Sequence, residues 1–382
     1  VTKSRRDFLK ASSAAAAAAG LAACGVAPQT TPAAPPPAPR RKRRLGRLFA
    51  YGFFGLWVTT ALWNLYKPLP DGVSVRGPIV DTPLTQLRFF SDVTGADAFG
   101  TPVVRQLIFD AVLALIGESR EYLVLDFFLF NSQRGATIGS TPHRELSIEL
   151  RDALLARKRA MPDLHILVIA DPINDVYGAL PSRDLAALRG AGIDVITPEL
   201  DSLRDSNPIY SSFWRLTMKW WSGDGSGEAS LPNPLDAGPE KVSYGAWARL
   251  LNFKADHRKV IIGDDGKGGI TGIVTSANPH DASSLHSNVA LKLSGAALQP
   301  LLESELALAH ESGWNSGWQP PPLPPVPPLP PMPPSLSHSG GSTVLPRQFP
   351  CPAGQYCDLG SCADAYCAVS GKLTSGLGRR SS

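Results

Sequence analysis

The chain has 382 residues, with 35 Gly and 36 Pro, a share of chain breakers that confines globular structure to part of the length. Its formal charge of +4 is unevenly placed: residues 1–47 hold ten Lys/Arg against the single acid Asp7, which leaves the remainder at −5 and without the basic footprint of a nucleic-acid-binding domain. Cys24 stands alone and Cys351, Cys357, Cys362 and Cys367 crowd the C-terminus, so thiol chemistry is excluded from the region between them.

The N-terminus reads Ser4-Arg5-Arg6-Asp7-Phe8-Leu9-Lys10 before an alanine-rich run, and resembles a twin-arginine export signal over residues 1–24. Leu21-Ala22-Ala23-Cys24 also resembles a lipoprotein cleavage box, although small residues beside an alanine run produce such a box by chance. A Pro-rich and basic linker covers 25–47, ending in Arg40-Arg41-Lys42-Arg43-Arg44 and Arg47.

Residues 48–66 are expected to cross a membrane. Leu48 to Leu65 carry no charge, and eighteen residues at a helical rise of ~1.5 Å span roughly 27 Å, close to the hydrocarbon thickness of a bilayer. The preceding basic cluster predicts a cytoplasmic N-terminal side, which places the following domain on the periplasmic or outer side of a bacterial inner membrane. An uncleaved signal run would reverse that orientation.

From 67 to 318 strand-length apolar runs alternate with helical periodicity. Strands are expected at Leu87–Ser91, Tyr122–Phe130, His165–Ile169, Asp194–Ile196, His257–Ile262, Gly272–Ser276 and Val289–Leu293, and helices at Pro102–Ile116, Pro142–Ala160, Ser182–Gly190 and Ala296–Ser312. This alternation predicts an α/β sandwich with a mixed, largely parallel sheet flanked by helices. Phe213-Trp214-Arg215-Leu216-Thr217-Met218-Lys219-Trp220-Trp221 reads either as core aromatics or as a membrane-interface stretch. Residues 319–382 form a Pro-rich, Cys-containing tail with no core-forming pattern; its cysteine spacing matches no standard zinc knuckle, leaving disulfides or no structural role.

The chemistry concentrates in Asn252-Phe253-Lys254-Ala255-Asp256-His257-Arg258-Lys259-Val260-Ile261-Ile262-Gly263-Asp264 and, after a Gly-rich loop, in Thr275-Ser276-Ala277-Asn278. On a strand His257 and Lys259 share a face, and Ser276 and Asn278 repeat the spacing at the end of the next. A cation, two polar donors and an imidazole then form a phosphate cradle with a nucleophile. An isolated His-x-Lys would more simply be a solvated strand edge.

His-x-Lys-x4-Asp followed by Ser-x-Asn resembles the signature of the phospholipase D superfamily, and the wider text, including Asp171-Pro172-Ile173-Asn174 and Leu203 to Pro208, looks like its membrane-linked, cardiolipin-synthase-like bacterial branch. The resemblance covers about 67–312 and implies His257 as nucleophile forming a phosphohistidine, Lys259, Ser276 and Asn278 on the non-bridging oxygens, and Asp264 as a structural or charge-balancing member of the catalytic motif. It implies no cofactor and no metal. Ser287 stands roughly where some members carry a glutamate that orients the imidazole, and Thr275 where many have glycine.

Superfamily enzymes build one site from two such motifs, whereas none of His143, His165, His280, His286, His310 and His338 is followed by the required Lys and Asp. Three accounts stay open. A homodimer completes the site; the chain is the first half of a two-motif protein; or it is a non-catalytic phosphate-binding relative, tethered to the membrane and engaging a partner through its Pro-rich arm. Asp126 either lines the site or is hydrogen-bonded at a strand end, and Asp171 and Asn174 follow a strand at the carboxyl end where α/β sheets place ligands. The expected function is a membrane-anchored phosphodiesterase or phosphatidyltransferase acting on phospholipid, with an extracytoplasmic nuclease as the alternative; residues 48–318 carry 23 basic against 30 acidic residues, and no nucleic-acid partner is expected.

Overall fold

The computed structural model describes residues 40–321, apart from 78, 79, 81, 134–142, 224 and 237. The expected export signal, Cys24, the Pro/Ala linker, the tail cysteines and the proline-rich tract from 322 on lie outside the described residues. The chain divides into two units, Val1–Phe53 and Phe54–Ser382, the first described only from Arg40 as the opening turns of helix α1 (Arg40–Tyr66). Among the described residues α1 is the one helix long and apolar enough to cross a membrane, over Arg44–Tyr66. It stops before Lys67-Pro68, since the residue preceding proline is pushed out of the helical region. In its last turns Trp57, Thr60, Ala61, Asn64 and Leu65, spaced as one helical face, are covered, while Val58, Leu62 and Trp63 are exposed.

The second unit contains strands β1 (Leu87–Ala96), β2 (Pro102–Arg105), β3 (Tyr122–Phe127), β4 (His165–Ala170), β5 (Asp194–Ile196), β6 (Ala229–Pro232), β7 (Lys241–Ser243), β8 (Lys259–Asp264), β9 (Ile270–Thr275) and β10 (Asn288–Ser294). Its helices are α2 (Ile108–Glu118), α3 (Leu146–Ala160), α4 (Arg183–Gly190), α5 (Pro208–Thr217), α6 (Lys219–Ser222), α7 (Tyr244–Leu250) and α8 (Gln299–Glu311). Eight strands form one sheet in the order β2-β1-β10-β9-β8-β3-β4-β5, and β6 pairs with β7 in a separate ribbon.

The α/β class and the mixed, helix-flanked sheet agree with the sequence, but the balance differs. Only β3–β4 and β4–β5 are parallel; the other five pairings are antiparallel. Connection length is one cause: the link from β8 to β9, residues 265–269, is too short to hold the crossover helix a parallel pairing needs. Pro102–Arg105, expected to open a helix, is instead an edge strand paired with Val93–Ala96, because Val103 and Val104 favour extended backbone. The β6–β7 ribbon had no recognisable alternation in the sequence.

Side chains alternate across β3. Leu123, Leu125 and Phe127 join Phe109, Leu115, Leu150 and Leu154 in the core under α2 and α3. Tyr122 and Val124 join Ile169, Ile262, Leu302 and Leu306 under α8. Both faces of the central strands are therefore dry, and polar groups gather at the strand ends, after β3 and β4 and just before β8.

Candidate active site

β8 runs antiparallel to β3 with Lys259 opposite Phe127 and Val260 opposite Asp126. The ladder extends one step further, where the Phe128 N–H donates to the Arg258 carbonyl at 3.1 Å. Directly opposite residues share a face, so Lys259 goes with Phe127 toward α2 and α3, and Arg258 goes with Asp126 toward α8. His257, read from the sequence as the first strand residue, lies just before β8 and is exposed.

Three strand ends converge on this corner. The His257 imidazole lies 4.7 Å from the Phe128 ring, centroid to centroid, at 52°. Lys259 is buried, sets its ammonium 5.2 Å from the same ring and donates to the His257 carbonyl oxygen at 3.0 Å. Asn278, past the end of β9, accepts from the Leu129 N–H through Oδ1 at 3.0 Å, which leaves its Nδ2 as the donor. Burial, then the Lys259 charge, hold the His257 imidazole below its ordinary value, so it is neutral at neutral pH with a lone pair available. Burial also lowers Lys259, opposed by Asp126, Asp256 and Asp171.

Ser276 is placed differently from Asn278. Its Oγ accepts from the Val289 N–H at 3.0 Å and donates to Asn288 Oδ1 at 2.9 Å, which ties it to β10. Ser287 does not orient the imidazole: its hydroxyl bonds the backbone N–H and carbonyl of Thr94 in β1. Asp264 is at the far end of β8 from Lys259, roughly 16 Å away at the rise of a strand. There its buried carboxylate accepts from the N–H groups of Arg120, Glu121, Tyr122 and Gly266, closing the start of β3 onto the end of β8. This places Asp264 as a staple between the two strands, away from the corner that holds His257 and Lys259.

Asp171 and Asn174 brace the site from behind. Asp171 accepts from the N–H of Ile173 at 2.8 Å and of Asp256 at 2.7 Å, fixing the residue before His257. Burial raises Asp171 to about 7, against the pull of those two hydrogen bonds. Asn174 donates to the Phe128 carbonyl and accepts from the Phe130 N–H and Asn131 Nδ2, so it sets the loop that carries Phe128.

Asp126 does not line the site. It is fully buried on the opposite sheet face from Lys259, in a group with Asp256, Glu305 and Arg258. Arg258 donates to Glu305 Oε2 at 3.0 Å and to the Val73 carbonyl at 2.9 Å, with Asp256 Oδ1 at 3.8 Å. Both Asp126 oxygens, Asp256 Oδ2 and Glu305 Oε1 lack a donor when all three acids are ionised. One guanidinium cannot neutralise three carboxylates, and burial, followed by Asp256 and Glu305, drives Asp126 well above the usual carboxylate range. A protonated Asp126 donates to a neighbour and satisfies part of the group.

Phe128, Arg258 and Glu305 escaped sequence reading. Phe128 sits in the run Phe127-Phe128-Leu129-Phe130, where nothing local separates the residue that faces the imidazole from those in the core. Among the described residues no group of three or more His, Cys, Asp or Glu is placed to hold a metal.

Residues 4–22 match the family model of the TAT (twin-arginine translocation) pathway signal sequence. No curated protein matches the chain. Among solved structures it is similar to Nuc, a phospholipase D family member from Salmonella typhimurium, at 13% identity and a TM-score of 0.30 over 59% of this chain and 95% of that one. It is also similar to NucT from Helicobacter pylori, at 12% identity and a TM-score of 0.26, over 59% and 98% of the two chains. A third similar structure is phosphatidylserine synthase from Haemophilus influenzae Rd KW20, at 13% identity and a TM-score of 0.30, over 63% of this chain and 38% of that one.

Proposed function

We propose that the protein is a membrane-anchored, phospholipase D-like phosphodiesterase or phosphatidyltransferase that acts on phospholipid through a phosphohistidine at His257. The observation that carries this reading is an exposed, neutral imidazole braced by Phe128, with the Lys259 ammonium and the Asn278 donor at the same corner. A phosphodiester seated there meets a cation and an N–H donor at its non-bridging oxygens and a nucleophile at phosphorus.

In the first step an imidazole nitrogen forms the P–N bond, the P–O bond to the leaving alcohol breaks, and the alcohol takes a proton from a second histidine. Water or an acceptor alcohol then attacks phosphorus; the P–N bond breaks and the acceptor's proton returns to that second histidine. Within this chain no other histidine stands in a matching motif, and a second copy supplies its own His257 about a two-fold axis. The basic cluster ahead of α1 favours a cytoplasmic N-terminal side and a site on the outer side of the inner membrane, which suits lipid better than nucleic acid, as does the acidic balance of residues 48–318.

The test combines sizing of the full chain in detergent with turnover of a chromogenic phosphodiester and of phospholipid vesicles, using His257→Ala as the control. A dimer whose turnover vanishes in the variant is expected. A monomer with no turnover above the variant overturns the assignment.

A further inference from the structure

Helix α5 and the turn α6 lie alongside the last turns of α1, and the geometry points to a single membrane-seating unit built from all three, which embeds the domain in the outer leaflet rather than holding it on a tether. This rests on the reading that α1 enters a bilayer. Trp57 donates through Nε1 to the Ile209 carbonyl at 2.7 Å and meets the Phe213 ring at 6.5 Å. Further along, the Asp205 N–H donates to the Asn64 carbonyl at 3.1 Å. At the end of α1 Lys67 donates to the Asp201 carbonyl, and Lys219 at the start of α6 donates to the Asp201 carboxylate at 2.5 Å.

The two segments are thus in step. Ile209 and Phe213 stand level with Trp57, and Trp220 and Trp221 stand near the level of Tyr66 and Lys67. Nine residues separate Trp57 from Tyr66, about 13 Å of helix. If the end of α1 marks the headgroup region, Ile209 and Phe213 are at acyl depth and the paired tryptophans are in the interface, where indole rings are favoured. Trp220 and Trp221 are 80% and 78% exposed, Ile209 64%, so the core reading of this aromatic stretch holds for Trp214, which is buried, and fails for its neighbours. Large apolar side chains so exposed, continuous with an apolar helix, have a lipid surface as their matching environment.

The same unit carries the approach to His257. Ser211 donates to the Asn252 carbonyl, Ser206 to the Phe253 carbonyl, and Lys254 to the Leu203 carbonyl and Asp205. Phe253, 62% exposed, is held at φ 53° with its ring 6.2 Å from Tyr210. A non-glycine residue in that conformation is maintained by its surroundings, here by the α5 contacts. Four residues on is His257, so seating α5 in the leaflet presents the reacting corner to lipid headgroups.

The experiment reconstitutes the full chain into vesicles whose acyl chains are brominated either near the headgroup or near their middle, and compares tryptophan quenching with that of the Trp220→Phe/Trp221→Phe variant. Quenching by the shallow bromines is expected to fall by more than half, because two of the three exposed tryptophans of this unit are removed and Trp63 remains, while Trp57 lies at acyl depth and Trp214 is buried. Equal quenching in the two proteins overturns the seating and leaves α1 inserted. Absence of quenching in both overturns the seating and the membrane anchor together. A detergent dimer that Trp220→Ser/Trp221→Ser dissociates, with equal lipid quenching in the Phe variant, assigns the patch to a second copy and overturns the proposal.

Discussion

The Phe128 ring stands 4.7 Å from the His257 imidazole at 52°, and it holds this position because Asn174 and the Arg258 carbonyl fix its backbone on either side. A tilted aromatic contact of this kind is worth about 1 kcal/mol. Phe128→Leu is expected to keep the fold and lower kcat/KM about five-fold on a soluble phosphodiester. Unchanged kinetics would show that the imidazole is oriented by something else.

The proposed chemistry needs a neutral His257, and its imidazole is held below the ordinary histidine range by burial first and Lys259 second. Turnover therefore rises with pH through a value under ~6.5 and has levelled off by neutrality on that limb. Lys259→Met removes the second cause, so its acid limb moves to higher pH while the plateau drops for lack of the cation. A pH profile of kcat/KM for both proteins checks this, and a limb that stays in place counts against the assignment.

Asn278 accepts from the Leu129 N–H through Oδ1, and in the proposed site its Nδ2 donates to phosphate. Asn278→Asp keeps the acceptor and loses the donor, adding a negative charge beside the substrate. Turnover is expected to fall by about two orders of magnitude with the melting temperature nearly unchanged. A large loss of stability would mean that the amide is mainly structural.

For Asp264 the expectation is the reverse. Its buried carboxylate accepts four backbone N–H groups, and Asp264→Ala is expected to destabilise the domain by about 3 kcal/mol, read as a shift of the unfolding midpoint. Protein that remains folded should retain its turnover, since the residue is a full strand length from His257.

Asp126 titrates above its unfolded value, so the folded state holds its proton more tightly. The stability this contributes is fully present below the unfolded value near ~4 and is lost as pH rises through the folded one. Asp126→Asn supplies a permanent donor in the same shape, and its melting temperature should decline less than that of the parent between about pH 5 and about pH 8. Parallel declines would place the proton elsewhere, on Asp256 or Glu305, which burial raises in the same direction.

Much of this protein was legible as text because it depends on short-range geometry. The uncharged run Leu48–Leu65 is a helix, the α/β class follows from runs of strand and helix length, and the His257, Lys259 and Asn278 cluster is visible as spacing. Other features depend on which distant segments meet, and spacing along one chain does not encode that. Asp264 has the right interval after Lys259 for a catalytic motif, yet a strand carries it to the opposite end of the sheet. Ser276 and Ser287 stand beside the right neighbours in sequence and are bound by β10 and β1 in space. Phe128 meets the imidazole because the pairing of β3 with β8 brings the residue after one strand beside the residues just before the other, a meeting of segments 130 positions apart. Which tryptophans are core was likewise decided in space: Trp214 is buried with its Nε1 on the Ala248 carbonyl of α7 while Trp220 and Trp221 stay exposed, since hydrophobicity says that a side chain will be buried and only packing says against what.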